Sequence, residues 1–221
     1  MSMSAPSDKP LLIVFGAGGH GRVAADAALC SGAFRGVVAS DRNPAAWGTA
    51  LLPGVPVLAP EALADLPAPL ALHVAIGNNP VRRQEADQLR AGLPQATLST
   101  IVHPHASVAV TARIAPGCLI TAQCVIGPLA ELGAGVIVNH GAVVDHDCRI
   151  AAWAHIAPGA KLGGAVRVGE AALVGAGSTV LRNLHVGRNA TLGAGAVLLQ
   201  DLPDDQAWAG VPARPLQGAS A

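Results

Sequence analysis

The sequence predicts a two-part molecule: an α/β, Rossmann-like unit over residues 1–100, then a parallel β-solenoid over residues 101–221 that ends in a short tail. Three observations carry this division. Every sixth residue from Val108 to Leu198 is Val, Ile or Leu, sixteen in unbroken succession. Four residues after each but the last stands a small side chain, from Ala112, Cys118 and Cys124 on to Ala196, with Val136, Val166 and Leu184 the larger exceptions. Ahead of both beats lies an apolar run that breaks into a glycine turn and an alanine-rich segment, the pattern of strand, phosphate turn and helix.

Taken in order, Leu11–Phe15 reads as a buried strand. Gly16-Ala17-Gly18-Gly19-His20-Gly21 follows, and then a helix from about Arg22 to Leu29. Glycines at 16, 18 and 21 satisfy the dinucleotide pattern. The physics belongs to every such turn, in which backbone N–H groups and a helix N-terminus face a phosphate. A second strand, Gly36–Ser40, ends at Asp41, where a Rossmann unit places its ribose ligand. A third, from about Leu70 to Ile76, opens into Gly77-Asn78-Asn79-Pro80, with Arg82 and Arg83 just beyond. These three strand ends can line one pocket at the carboxyl edge of a parallel sheet. The unit is short for a complete dehydrogenase cofactor fold, so the expected ligand is a mononucleotide or a nucleotide sugar.

A period of six fits neither a 3.6-residue helix nor the alternation of an isolated strand. It fits a solenoid that turns one corner per hexad, three hexads completing one coil of a triangular prism. The branched residue of each hexad fills the interior, and the small one lets the chain turn close to the axis. Fifteen hexads from Val108 to Val197 give five coils. Stacked coils bury an apolar column that no single coil could build, which accounts for a mean hydropathy of +0.44 without a membrane span. Cys118, Cys124 and Cys148 fall on the small-residue beat and read as compact, reduced, buried thiols. Cys30 has no Cys-x-x-Cys neighbour, so no zinc or redox motif is visible.

The chain of 221 residues has zero formal charge, no Tyr, two Phe and three Trp. It therefore offers neither the basic field nor the aromatic platforms of a nucleic-acid binder. The opening MSMSAPSDKP has no apolar core of signal length, and no apolar run approaches the roughly 18 residues of a spanning helix, so a cytoplasmic location without membrane insertion is expected.

The hexads, the tail Gly210-Val211-Pro212-Ala213-Arg214, the turn GAGGHG, the segment AIGNNPVRR, the link IVHPHASV and VVDHDC followed by AHIAPGA resemble one family. It is the sialic acid O-acetyltransferase and nucleotide-amino-sugar N-acetyltransferase family of hexapeptide-repeat acyltransferases. The resemblance runs from Leu11 to about Leu216. It implies a left-handed parallel β-helix, a homotrimer, acetyl-CoA between neighbouring prisms and a sugar nucleotide on the N-terminal domain. It implies His146 as general base with Asp147 orienting it, His155 in contact with acetyl-CoA, and Ala176 and Ala194 lining the CoA groove. For the nucleotide sugar it points to Gly18, Gly19, His20, Asp41 and Gly77. Two departures stand out: the family often has Glu where Asp147 stands, and often a second acidic residue where Arg42 stands.

The implied activity is acetyl-CoA-dependent N-acetylation of a UDP- or GDP-linked 4-amino-deoxysugar in surface glycan biosynthesis. Transfer is direct, since no family Ser or Cys nucleophile is present, and no metal is expected. Sialic acid O-acetylation is the alternative within the family. A γ-type carbonic anhydrase would read His140, His146 and His155 as zinc ligands, but spacing in one chain does not show three converging nitrogens. A nucleotide-sugar sensor would bind without acetyl transfer. An NAD-dependent oxidoreductase would use the glycine turn alone. Trp153 and Trp208 read as packing residues at a protomer contact or the prism end.

Overall fold

A computed structural model describes residues 8–220, with side chains to Leu216. The first seven residues, on which most of the reading of the opening segment falls, lie outside the described part. The N-terminal unit runs β1 (Leu11–Phe15), α1 (Gly19–Ser31), β2 (Gly36–Ser40), β3 (Ala50–Leu52), β4 (Val55–Leu58), β5 (Leu70–Val74), α2 (Asn79–Gly92) and β6 (Ala96–Leu98). The sheet order is β3-β4-β2-β1-β5-β6, parallel except for the antiparallel β3–β4 hairpin. β1 lies between β2 and β5, with apolar side chains buried on both faces, which is why LLIVF has no polar alternation. β1 and β2 fall where the sequence puts them. α1 begins three residues earlier than expected, so that Gly19 and Gly21 belong to its first turn, and it ends at Gly32 in the left-handed conformation (φ 62). β5 stops at Val74, two residues early, where the chain turns its Ala75 carbonyl toward Gly16.

The prism begins at β7 (Ile101–Val102) and repeats a two-residue strand every hexad to β23 (Val197–Leu198). Strands three hexads apart pair in parallel, so that Leu119 stands opposite Ile101 on one side and Ile137 on the other. Three flat sheets result. The first face, which starts at β7, has eight strands, including β24 (Gln206–Ala209) and the antiparallel β25 (Arg214–Ser220). The second, from β8 (Ser107–Val108), has six, and the third, from β9 (Arg113–Ile114), has five. Five strands on the third face limit the stack to five complete coils, the number the hexad count predicts. The beat starts one hexad sooner than Val108, at Val102.

The branched and the small beat both point inward, and together they form one continuous core that Trp208 and Ala213 close at the far end. The corners obey a third beat. Every sixth residue from Gly117 to Gly195 has a positive φ, whether it is glycine or Gln123, Leu129, Asp147, Trp153, Ala165, Ala171, Asn183 or Asn189. Left-handed backbone at each corner is uncommon for residues other than glycine, and the stacked coils above and below hold it in place. Cys118, Cys124 and Cys148 are fully buried free thiols that donate to backbone carbonyls, among them Gly133 O at 3.1 Å and Gly163 O at 3.3 Å.

The two parts share their core. Outward-facing Ile101, Leu119 and Ile137 of the first face join Leu12, Val14 and the alanines of α1. Trp153, at a corner, packs against the opposite side of the N-terminal sheet and onto Gly135, where a β-carbon would come within 2.2 Å of its ring. Trp153 is thus a contact within the chain. Among the described residues no helix is long and apolar enough to cross a membrane.

Candidate active site

The glycine turn separates into two kinds of glycine. Gly16 has φ 112, and a β-carbon there would meet Ala75 O at 2.7 Å; at Gly21 it would meet Gly16 O at 2.0 Å. Those two are required by the close approach of α1, β1 and β5. At Gly18, Gly19 and Gly77 an added β-carbon meets nothing within 4 Å. No neighbour among the described residues explains their bareness. They border the crevice at the carboxyl ends of β1 and β5, where the strand order reverses, the place an open α/β sheet receives its ligand. The N-terminus of α1 has no side-chain cap and no acidic residue in its first turn, which leaves its dipole available to an anion. Asp41 stands beside it, accepting Ala17 N at 2.7 Å through Oδ2 and Asn43 N at 2.8 Å through Oδ1. It fixes the turn, and each oxygen keeps a second lone pair for a hydroxyl.

The nearby arginines are engaged. Arg42 forms a two-point pair with Glu85 of α2, at 2.7 and 2.8 Å, and its guanidinium lies 5.8 Å from the Phe15 ring centre. Arg83 pairs with Glu170. Arg82 is 1% exposed and donates only to carbonyls: Gly135 (3.1 Å), Ile76 (2.9 Å), Gly77 (3.4 Å), Trp153 (2.6 Å) and Ala154 (3.4 Å). A guanidinium has five N–H groups, so none is left over for a ligand. Arg82 staples the loop after β5 to the prism. Asn79 does the same, donating to Ala171 O and Ala172 O at 2.9 and 3.0 Å. Sequence reasoning gave neither residue this task, because only the fold brings α2 onto the prism corners.

Three histidines gather around Arg82. His20, in the first turn of α1, lies with its ring centre 6.1 Å from that of His155 on the first prism face. Burial, then the charge of Arg82, push His20 and His155 down to about 4, and burial pushes His73 to about 4 as well. All three are neutral at physiological pH. His155 is held by the Gly77 backbone and by Asn139, whose Nδ2 is 3.4 Å from its Nε2. The Nε2 atoms of His20 and His73 are buried without a hydrogen-bond partner.

His146 stands elsewhere, at the corner between the second and third faces. Its Nδ1 is 2.7 Å from Asp147 Oδ2, and its backbone N–H donates to Asp145 Oδ1 at 2.7 Å. A carboxylate only accepts, so Nδ1 carries the hydrogen and Nε2 keeps its lone pair. The hydrogen bond to Asp147, followed by the charge of Asp145, raises the pKa above the ordinary histidine value. The side chain is 58% exposed. Cys148, two residues on, is no nucleophile: burial pushes its thiol up to about 11.

The structure therefore unites Gly18, Gly19, His20, Asp41, Gly77 and His155 at the domain junction and places His146 and Asp147 one corner away. Ala176 and Ala194 lie one coil apart on the corner between the first and second faces, in line with His140. There Gly141, Gly159, Gly177 and Gly195 all take the left-handed conformation and present bare backbone. His140, His146 and His155 do not converge. Among the described residues only Asp26, Cys30 and His103 bring three potential metal ligands within 4.8 Å. His103 Nδ1 accepts the His105 N–H at 3.0 Å, so its other nitrogen carries the proton, which is the wrong form for a ligand.

The PglD N-terminal domain model matches residues 11–89. Among solved structures, the acetyltransferase domain of PglB from Neisseria gonorrhoeae in complex with acetyl coenzyme A is 38% identical, covering 94% of this chain and 100% of that one, with a TM-score of 0.87. A histidine-to-alanine mutant of GDP-perosamine N-acetyl transferase from Caulobacter crescentus, in complex with CoA and GDP-perosamine, is 33% identical over 93% of this chain and 96% of that one, with a TM-score of 0.84. WeeI from Acinetobacter baumannii is 25% identical over 94% and 100%, with a TM-score of 0.81. No curated protein matches the sequence significantly.

Proposed function

The chain belongs to the hexapeptide-repeat nucleotide-amino-sugar N-acetyltransferases, whose prism is a left-handed parallel β-helix, and from that premise we propose how its residues divide the reaction. The enzyme moves an acetyl group from acetyl-CoA to the amine of a nucleotide-linked 4-amino-deoxysugar. Residues 1–100 hold the nucleotide sugar and residues 101–221 carry out the transfer. Gly18, Gly19 and the N-terminus of α1 receive the diphosphate, Asp41 a ribose hydroxyl, and His20 and Gly77 the sugar end. Bound acetyl-CoA supplies the thioester carbonyl, along the bare corner at Ala176 and Ala194, with His155 toward its acyl end.

The amine nitrogen attacks that carbonyl, the new N–C bond replaces the C–S bond, and CoA leaves as a thiolate that becomes the thiol on receiving the amine's proton back from His146. His146 Nε2 takes the proton the amine gives up, while Asp147 fixes the tautomer and stabilises the imidazolium. The single observation that carries this reading is the His146–Asp147 pair, with its reactive nitrogen turned away from the carboxylate on an exposed corner. Within one chain that corner and the nucleotide crevice lie on different faces. This separation supports a homotrimer in which a neighbouring copy completes each site.

The test is thiol release from acetyl-CoA with a panel of UDP- and GDP-linked 4-amino sugars and free sialic acid. Release with an amino sugar nucleotide supports the proposal. Release with sialic acid alone transfers the chain to O-acetylation, and binding of nucleotide sugar without release makes it a sensor.

A further inference from the structure

The ring of His146 rests on the next coil at Gly164, eighteen residues further along the chain. A β-carbon at position 164 would stand 2.5 Å from both Cε1 and Nε2 of that ring, and 3.2 Å from Cδ2. The φ of Gly164 lies outside the left-handed region, so the backbone accepts any residue, and the three nearest atoms to an added β-carbon are all imidazole atoms. Gly163 next to it is different: a β-carbon there would strike the Arg182 backbone N at 2.9 Å, a requirement of coil stacking.

The rest of the corner is rigid. Ala165 N donates to His146 O at 2.9 Å from the coil above, and Asp147 N to Pro128 O at 3.0 Å on the coil below. Asp147 itself is a left-handed corner residue (φ 58). The backbone of His146 cannot yield to a new methyl group, so the ring must. The three distances place position 164 over the face of the ring, toward its Cε1–Nε2 side, so the imidazole rests its face on the next coil while Nδ1 is committed to Asp147.

We propose that Gly164 is a positioning residue for proton transfer: its missing side chain lets the face of the His146 imidazole rest on the next coil in the orientation that meets Asp147. This rests on the reading of His146 as the base. A larger residue would occupy that seat and turn the ring away from Asp147. The ionisable groups that act on the ring are Asp147 and Asp145.

The experiment compares wild-type protein with Gly164→Ala, His146→Ala and the double variant, all full-length. Thermal denaturation of Gly164→Ala should show no loss of stability, because glycine-to-alanine at a compatible backbone position stiffens the unfolded chain. The His146 Cε1–H resonance, assigned by its loss in His146→Ala, reports the ring directly and needs no acceptor. Its titration midpoint should fall toward the ordinary histidine value in Gly164→Ala as contact with Asp147 is lost. On acetyl-CoA with GDP-perosamine or UDP-4-amino sugars, kcat should drop about a hundredfold with both KM values little changed, the cost of a reacting group displaced by about an ångström. Gly164→Ala should add nothing in the His146→Ala background. An unchanged His146 titration overturns the proposal, as does an equal loss of rate in both backgrounds. A His146→Ala enzyme of wild-type rate sinks the base assignment instead, while the titration still reports whether Gly164 seats the ring.

Discussion

At the residue scale, the pair His146–Asp147, as the proposed base and its partner, should set the pH dependence. A general base must be unprotonated to act, and the hydrogen bond from Nδ1 to Asp147 raises the pKa, so the acidic limb of kcat should lie above the ordinary histidine value of 6.5. Asp147→Asn removes the largest cause of the shift and leaves the tautomer unspecified. Its limb should move to lower pH while its plateau falls by about ten- to a hundredfold. A plateau that falls with no movement of the limb would assign the titration to another group. The Asp-His-Asp sequence, read through family resemblance, pointed to this pair, and the structure joins the two side chains by a hydrogen bond. What sequence could not supply is its company. Gly164 is silent in a chain with 26 glycines, and its meaning appears only when coils stack eighteen residues apart. Arg82 and Arg83 look alike as neighbours beyond a strand, yet one is sealed among five carbonyls and the other is a surface ion pair.

At the element scale, the turn from β1 to α1 shows how a motif mixes architecture with binding. Gly21→Ala forces a β-carbon against Gly16 O at 2.0 Å and should destabilise by several kcal/mol or prevent folding, on the order of 3 kcal/mol or more for a rigid backbone clash. Gly19→Val meets open space in the free protein, so its stability should change by about 1 kcal/mol or less while the side chain blocks the crevice. The acceptor's KM should rise and that of acetyl-CoA should not. If Gly19→Val leaves the acceptor KM unchanged, the nucleotide sits elsewhere. The hexad beat was legible because burial of a branched residue is demanded once per face. The small strands β3, β4 and β6 were not, since three or four residues carry too little periodicity to rise above their loops. The left-handed corners also escaped: eight of the positions from Gly117 to Gly195 hold residues other than glycine, and stacking enforces there what composition alone would not suggest.

At the scale of the whole molecule, the junction is where the fold is most exposed to acid. His20, His73 and His155 are neutral in the native protein because burial and the uncompensated charge of Arg82 oppose their protonation, each at about 4. In the unfolded chain the same groups protonate near 6.5. Between those two values the unfolded state binds more protons, so stability falls as pH is lowered from about 6.5 to about 4 and is unaffected by these groups above 6.5. His73, sealed and holding Ser99 O at 3.2 Å, is the simplest case, worth on the order of 3 kcal/mol across that window. His146 works in the opposite sense, lending stability below its unfolded pKa and losing it as pH rises through its raised value, but its exposure lets solvent screen the effect. Denaturant titrations at pH 7.0, 5.5 and 4.5 should therefore show a steep loss on the acid side. His73→Leu, though weaker at pH 7 for want of the Ser99 bond, should show a shallower slope. A stability flat from pH 7 to 4.5 would mean that Arg82 and its histidines are solvated, and that the prism and the nucleotide unit meet more loosely than the shared core of Leu12, Leu119 and Ile137 requires.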